Sequence, residues 1–553
     1  MEWYRRSQPR RAAEPSESRA RWWGLVVISL GVSLIIVDTT IVNVAIPSII
    51  NDLGITGTQA QWVQEIYTLI FGALLLVSGG FADQYGRRRV FALGAVVFGA
   101  ASVLAAMATS GSLLILARAV QGIGGAMMLP TSLSLLNANF RGRDRGIAFG
   151  IWGATIGGTA ALGPLLGGWL TTDFSWRWAF GINIPLCLVV IIGLYALVPE
   201  SKNLQGPKGV DWLGAVLSAL GIGGIVFGLI EGRNYGWLTS AKTFTVADWT
   251  WPWMLPPVAV AFLLGFAALV IFVVVEAKRN RAGRVAMLDL SLFSIPSFRN
   301  GNLAAAIVSL GEFGILFALP LWFQNVLGYT AFQTGLVLVA LASGSFLASG
   351  LGAAIGARRS PVFIVRAGIA LEIVGVAGLG LLLRPDSTWA IAVPLLFVYG
   401  VGVGFATAQL TGVVLADVPV ARSGQGSGTQ STARQIGSAF GIAILGTVLF
   451  ATLESQLSTG LENLQLPDGQ RTALVTAVKD SAGGTIPALA ADPRTAPVAD
   501  AARTALTDAT RAAALTAAGF LALGLAASTS LGRRTSIAKE EPSTTPAGVG
   551  PPR

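Results

Sequence analysis

Three features of the 553-residue chain predict an all-α membrane protein of fourteen transmembrane helices, built as two six-helix halves plus two inserted helices, with both termini cytoplasmic. Hydrophobic residues make up 53% of the chain and charged residues 12%, with a mean hydropathy of +0.66, far from the composition of soluble domains. Apolar runs of about 20 residues, the length that crosses a bilayer, recur between Gly, Pro and charged punctuation. The basic residues collect on one side of those runs, as the positive-inside rule requires.

Taken in order, the apolar runs fall at roughly 23–48, 60–81, 90–108, 113–138, 146–171 and 178–198, then 213–230 and 253–275, then 298–323, 333–356, 362–383, 389–416, 428–452 and 510–530. The chain thus divides into a cytoplasmic tail (1–21), an N-terminal six-helix half (22–198), a linker with two extra transmembrane helices (199–275), a C-terminal six-helix half (276–530) and a disordered cytoplasmic tail (531–553). Residues 1–21 are polar and arginine-rich and no cleavage site follows a short apolar core, so they read as a tail and not a signal peptide. Pro542, Pro546, Pro551 and Pro552 mark the last segment as one that builds no core.

The net charge of +10 would suggest nucleic acid in a soluble protein. Here most of the 38 basic residues lie in segments assigned to the inner side, such as Arg87–Arg89, Arg141 to Arg145, Lys278 to Arg284 and Arg533 to Lys539. They read as loops at a bilayer surface, and no nucleic-acid partner is expected. The outer segment at about 453–509 carries seven acids against four bases and is expected to form a small cap over the outer mouth.

Absences narrow the chemistry. With no histidine, a Ser-His-Asp triad and an imidazole relay are excluded. One cysteine, Cys187, leaves no intramolecular disulfide or CxxC pair. No GxxxxGK[ST] loop is present, since Gly424-Gln-Gly-Ser-Gly428 lacks the lysine. No catalytic residue, metal or cofactor is expected, and any proton chemistry falls to carboxylates. One charge crossing 100 mV is worth about 2.3 kcal/mol, so ion exchange is a sufficient energy source.

A faint repeat about 270 residues apart sets Gly79 to Arg89, after the second span, against Gly350 to Arg359, after the tenth. Transporter halves are built from such repeats. Four further segments carry a resemblance. Gly79-Gly-Phe-Ala-Asp-Gln-Tyr-Gly-Arg-Arg-Arg89 is similar to the GxLADxxGRR signature of the major facilitator superfamily, with Phe81 and Gln84 as departures. Asp38-Thr-Thr-Ile-Val-Asn-Val-Ala-Ile-Pro47 resembles the DxTIVNVALP element of its fourteen-helix drug:proton antiporter branch. Arg118-Ala-Val-Gln-Gly-Ile-Gly-Gly125 resembles RxxQGxG, and Gly163-Pro-Leu-Leu-Gly-Gly168 resembles the antiporter GPxxGG motif, with Thr159 where glycine often stands. Trp176-Arg-Trp-Ala-Phe180, Asn183, Pro185 and Thr432 to Gly437 also look like this branch. The resemblance implies the major facilitator fold, proton-coupled multidrug efflux, and a packing and bending role for Gly163, Pro164, Gly167 and Gly168.

The charged residues inside the spans can be read physically. Asp38 lies roughly 22 Å from the inner end of the first helix at 1.5 Å per residue, and an unpaired charge at that depth costs at least about 2.5 kcal/mol. Arg118 and Glu65 lie in the same layer, so an Asp38/Glu65/Arg118 cluster is expected, with two carboxylates competing for one arginine and one of them exchanging a proton. Glu312 occupies nearly the repeat position of Asp38 with no evident basic neighbour, and is expected to bind a proton or a cationic substrate. Glu372 is expected to be a neutral acid hydrogen-bonded between helices. Asp83, Gly86, Arg87 and Arg88 are expected to gate the inner side, with Asp83 receiving hydrogen bonds from a helix N-terminus or from Arg434 across the halves. Asn43, Gln121, Met127, Trp152, Phe323 and Gln324 are expected to line the substrate cavity, with Phe71, Met128 and Trp322 as further walls.

The reading is a proton-driven exporter of lipophilic, often cationic, drugs or dyes in the bacterial inner membrane, its partners being small substrate, protons and membrane lipid. No periplasmic partner is legible. Export of an endogenous amphiphile such as a lipid, siderophore or antibiotic is the alternative. A polytopic membrane enzyme is the competitor from another class, and it would tolerate loss of Asp38.

Overall fold

The computed structural model describes residues 15–140, 142–202, 209, 211–246, 249–356, 360–419, 423–462, 464 and 466–529, the side chains of some helical residues excepted. The expected tails lie almost wholly outside the described residues. The N-terminal half comprises α1 (Pro15–Leu53), α2 (Gly57–Tyr85), α3 (Arg87–Ala106), α4 (Gly111–Asn139), α5 (Gly142–Asp173) and a sixth span made of α6 (Trp178–Gly181) and α7 (Asn183–Leu197). The inserted pair is α8 (Trp212–Tyr235) and α9 (Pro257–Arg281), joined by a two-stranded hairpin of β1 (Thr245–Val246) and β2 (Trp249–Thr250). The C-terminal half comprises α10 (Pro296–Asn325), α11 (Ala331–Gly356), α12 (Pro361–Leu382), α13 (Trp389–Leu415), α14 (Ser423–Glu462) and α17 (Ala496–Ser528), with short α15 (Asp468–Asp480) and α16 (Ile486–Ala491) before the last. Among the described residues twelve helical stretches, α6 and α7 taken as one, are long and apolar enough to cross a membrane; α2 and α5, of 29 and 32 residues, pack between them without being among the twelve. Leu104, Ile192, Leu263, Phe266 and Leu381 stay exposed on their outer surfaces, as expected of faces solvated by lipid tails.

Local signals set the helix ends. Thr56 and Gln59 form a reciprocal capping box at the start of α2, and Ser110 and Ser360 cap α4 and α12. Between α2 and α3 the chain turns at Gly86 with φ +113°, a conformation that a side chain would strain. The expected cap is present as helices: α14 continues to Glu462, α17 starts at Ala496, and the segment between them seats on α10, where Asn325 Nδ2 donates to Ala482 O at 3.0 Å. The polar extensions of α14 and α17 carry helical periodicity beyond the apolar run, which is why hydropathy marks only their central parts.

The repeat is visible in the packing. In the first half α1 packs on α5, α2 and α3 pack on α4, and α7 packs on α1 and α3; in the second, α10 packs on α14, α11 and α12 pack on α13, and α17 packs on α10 and α12. The halves meet along two seams related by the same symmetry, α2 against α14 and α5 against α11. Buried apolar residues of the N-terminal half near the Leu53 end, from Val37 to Val63 with Leu114, Leu170 and Phe180, belong to one core shared with the C-terminal half. Those near the Arg87 end, including Leu25, Ile35, Phe91, Phe98, Leu135 and Leu194, form a separate core of their own. The halves are therefore joined at one end of the bundle.

The GPxxGG motif explains how closely they are joined. A Cβ on Gly167 would meet the backbone of Ile41 at 2.9 Å, one on Gly163 would overlap Thr40, and one on Gly168 would meet the Ala331 carbonyl oxygen of the other half at 2.5 Å. From the facing helix, a Cβ on Gly335 would overlap the Pro164 carbonyl. Small residues let two helix backbones approach where lipid supplies no hydrophobic drive for association. Gly335→Leu should therefore hold the α5/α11 seam apart. With a reporter cysteine at Leu338, which is 4% exposed, labelling by a membrane-impermeant maleimide should rise at least fivefold while the protein still inserts; an unchanged rate would contradict the seam described.

Candidate functional site

The buried charge at the centre of the N-terminal half is built from five helices. Asp38 on α1 is fully buried, and its carboxylate accepts from Arg118 Nη1 on α4 in a salt bridge. The second carboxylate oxygen accepts from Asn183 Nδ2 of α7 at 2.8 Å and Gln121 Nε2 of α4 at 3.1 Å. Arg118 spends its remaining donors on Gln121 Oε1 at 2.9 Å and, through Nε, on the Val63 carbonyl of α2 at 3.1 Å. Its guanidinium lies 4.3 Å from the centre of the Tyr67 ring. Ser102 of α3 accepts from Gln121 at 2.8 Å. A buried ion pair is tolerated where hydrogen bonds satisfy what the pair leaves over, and here every neighbour performs that task.

Glu65 is not part of the pair. Val63 and Tyr67 turn toward Arg118, and at 100° per residue the side chain between them points the other way. Gln61, Glu65 and Gly72 share the face of α2 that meets α14: Gln61 Nε2 donates to Ile442 O at 3.4 Å, and a Cβ on Gly72 would lie 2.9 Å from Gln435 Cβ. Glu65 is completely buried in that seam, and neither carboxyl oxygen has a hydrogen-bond partner. The expected competition of two carboxylates for Arg118 is thus replaced by one paired carboxylate within a half and one unpaired carboxyl between the halves.

In the C-terminal half Glu312 has no basic neighbour along the chain, whereas the fold supplies Arg434: Nη2 lies 3.6 Å from Glu312 Oε2, and Thr407 Oγ1 is 3.4 Å from Oε1. Arg434 also donates to Ser309 at 3.3 Å and Thr407 at 3.4 Å, beside a cavity of about 10 Å³. Arg434 therefore serves its own half; the expected reach to Asp83 concerns a side chain that lies outside the described residues. Glu372 is buried with both oxygens unpartnered, not hydrogen-bonded between helices as expected.

Arg87 donates its backbone N–H to Ser201 O at 3.0 Å, and Arg88 and Arg89 dock on an acid that sequence reasoning missed. Glu200, just beyond α7, accepts from the backbone N–H groups of Arg88 at 3.0 Å and Arg89 at 3.2 Å. It satisfies the first turn of α3, a helix start where negative charge is favoured. Of the expected cavity wall, Asn43, Met127, Trp152 and Gln324 are partly exposed. Gln121 is instead a member of the Asp38 network, and Phe323, with Phe71, Met128 and Trp322, is sealed in the cores. Gln324 Nε2 crosses the halves to Val44 O at 3.0 Å, and Asn43 Oδ1 accepts from Gln64 Nε2 at 2.6 Å.

Two repeated six-helix halves with a buried ion pair in one and an arginine-paired carboxylate in the other define a polytopic membrane transporter. The sequence pattern of the Major Facilitator Superfamily matches residues 28–442, and the chain belongs to that family. It is 34% identical over 456 residues to the puromycin resistance protein pur8 of Streptomyces alboniger, covering 80% of this chain and 86% of that one. It is 32% identical over 483 residues to the multidrug efflux pump LfrA of Mycolicibacterium smegmatis, covering 86% and 90%, and 34% identical over 468 residues to a probable actinorhodin transporter of Streptomyces coelicolor, covering 82% and 76%. Among solved structures, a bacterial homologue of the human lysosomal transporter Spinster shares the fold with a TM-score of 0.63 at 16% identity, over 94% of this chain and 98% of that one.

Removing one partner of a buried pair strands the other charge, at about 3–5 kcal/mol. Asp38→Asn should lower the midpoint of thermal unfolding in detergent sharply, and Asp38→Asn combined with Arg118→Gln should recover more than half of the loss. Additive losses in the double variant would show that the two do not act as a unit.

Proposed function

We propose that the chain is a proton-driven antiporter that exports lipophilic, cationic drugs or dyes across the bacterial inner membrane by alternating access, with its arginine-rich end in the cytoplasm. The observation that carries the proposal is Glu65, a buried carboxyl without a partner in the seam that joins the halves. A carboxylate anion cannot stay dry there without compensation, whereas a neutral acid can. Closure of the outer end therefore goes with a protonated Glu65, and opening of the seam hydrates the anion. A proton taken from outside permits closure, and a cation arriving in the inward-facing cavity displaces it through Glu65 and Glu312. Asp38 and Arg118 hold α1, α2, α4 and α7 in the register that presents Glu65 to the seam, and Asp38 joins the proton path when Arg118 shifts. Gly86, Arg87 and Arg88, fixed by Glu200 and Ser201, form with Asp83 the inner gate.

The relatives named for puromycin resistance and multidrug efflux support substrates of this class. The relative named for actinorhodin transport favours a second reading, export of an endogenous amphiphile.

The test is reconstitution in liposomes with an imposed pH gradient, recording internal pH while ethidium is added. Wild type should give proton flux on each addition and Asp38→Asn should give less than a tenth of it. Glu65→Gln, held closed at the outer seam, should neither concentrate nor equilibrate dye. Proton flux unchanged in both variants would remove these carboxyls from the coupling path, and no flux with ethidium in a folded wild type would favour the endogenous-substrate reading.

A further inference from the structure

The two seams between the halves are equivalent by the repeat, yet the chain treats them differently. Along α2/α14 the inserted α8 forms a wall, with α9 packed against α8. Before α8, Gly209 O accepts from Gln84 Nε2 in the last turn of α2 at 2.6 Å. At the far end of α8, Asn234 Nδ2 donates to Thr58 Oγ1 at 3.3 Å and Glu231 Oε1 accepts from Trp62 Nε1 at 2.9 Å, both in the first turns of α2. The cover thus follows α2 from one end to the other. Between those points Leu69 is buried in an apolar cluster with Ile222, Val226 and Ile230 of α8 and Ala439 and Ala443 of α14. Thr447 Oγ1 of α14 donates to the Leu229 carbonyl at 2.8 Å, so α8 is tied to both halves at once.

The α5/α11 seam has no comparable cover among the described residues. At its closed end Gly335 lies against Pro164 and Gly168 against Ala331. Eleven residues on, three helical turns toward the arginine-rich end, Phe346 comes back to the face of Gly335. It is 50% exposed. The face that is sealed backbone to backbone at one end is uncovered at the other.

We propose that α8 and α9 screen the α2/α14 seam from the bilayer and leave the α5/α11 seam, at the level of Phe346, as the lateral doorway through which a lipophilic cation passes from the inner leaflet into the cavity. This rests on the export reading above. A lipophilic cation concentrates at the apolar-polar boundary of the leaflet, and it enters sideways only where two helices part with no third helix across the gap. Phe346 gives such a doorway an aromatic surface that suits a flat cation.

The buried Cys187 can be replaced by serine, so single-cysteine proteins carrying Phe346→Cys, Leu69→Cys or Leu347→Cys can be reacted in liposomes with N-(1-pyrenyl)maleimide, which dissolves in the bilayer. Phe346→Cys should label at least fivefold faster than Leu69→Cys, and the attached pyrene should cut proton-driven ethidium export at least fivefold. Leu347→Cys, next to the seam and 53% exposed, should label equally well with export retained, which separates blockage of the doorway from added bulk. If Phe346→Cys does not export before labelling, Val339→Cys, two turns away on the same face, replaces it with the same expectation. Equal labelling at Leu69 and Phe346, or full export by the pyrene-bearing Phe346→Cys protein, would overturn the doorway. Absence of ethidium export by the unlabelled protein would overturn the substrate reading itself, while the labelling contrast still reports whether α8 and α9 screen one seam.

Discussion

A carboxylate and a guanidinium buried where no water reaches them set the terms for the N-terminal half. Burying either charge there alone would be costly, and their mutual attraction is geometrically useful only while Gln121, Asn183, Ser102 and the Val63 carbonyl supply the further hydrogen bonds. Those partners come from α2, α3, α4 and α7, so one ion pair fixes four helices around α1. It also fixes which way α2 faces. Once Val63 and Tyr67 are committed to Arg118, Glu65 must turn toward α14 and the other half.

On the proposed antiport reading, that rotation turns a packing requirement into a coupling device. The α5/α11 seam closes by backbone-to-backbone approach at Gly168 and Gly335, and in the α2/α14 seam Gly446 lies against the Gln61 side chain and Gly72 against Gln435, packing that leaves no room for a hydrated anion. The C-terminal half answers with a different arrangement of the same groups. Glu312 lies within reach of Arg434 at 3.6 Å, longer than a close ion pair, with hydroxyls of Ser309 and Thr407 around it. A loosely held carboxylate at the repeat position of Asp38 suits a ligand that arrives and leaves, whereas the tight Asp38 pair suits a fixed frame.

Much of the fold was legible because lipid enforces simple rules. Every span expected from hydropathy and punctuation is a helix, since backbone groups in a bilayer must be satisfied within the segment. What hydropathy could not see were the polar continuations of α14 and α17 and the helical cap between them. The charged cluster was legible in part. Depth along the helix placed Asp38, Arg118 and Glu65 in one layer, but it carries no information on rotation about the helix axis, so it joined Glu65 to the wrong neighbour. Partners far apart in sequence, Arg434 for Glu312 and Glu200 for the start of α3, follow from tertiary packing alone. The large apolar side chains expected to line a cavity, Phe323 and Trp322 above all, went to the core because burial of aromatic surface does not distinguish a ligand from a neighbouring helix.

The central claim is that the proton on Glu65 and the closure of the outer seam are one event. The direct measurement is the distance between spin labels on Asp173 of α5 and Gln333 of α11, both exposed at the outer end of opposite halves, followed across pH. The account predicts a short distance at low pH that lengthens as pH rises in the wild-type background, and a short distance at every pH in Glu65→Gln. A pH response that is the same with and without the Glu65 carboxyl would contradict it.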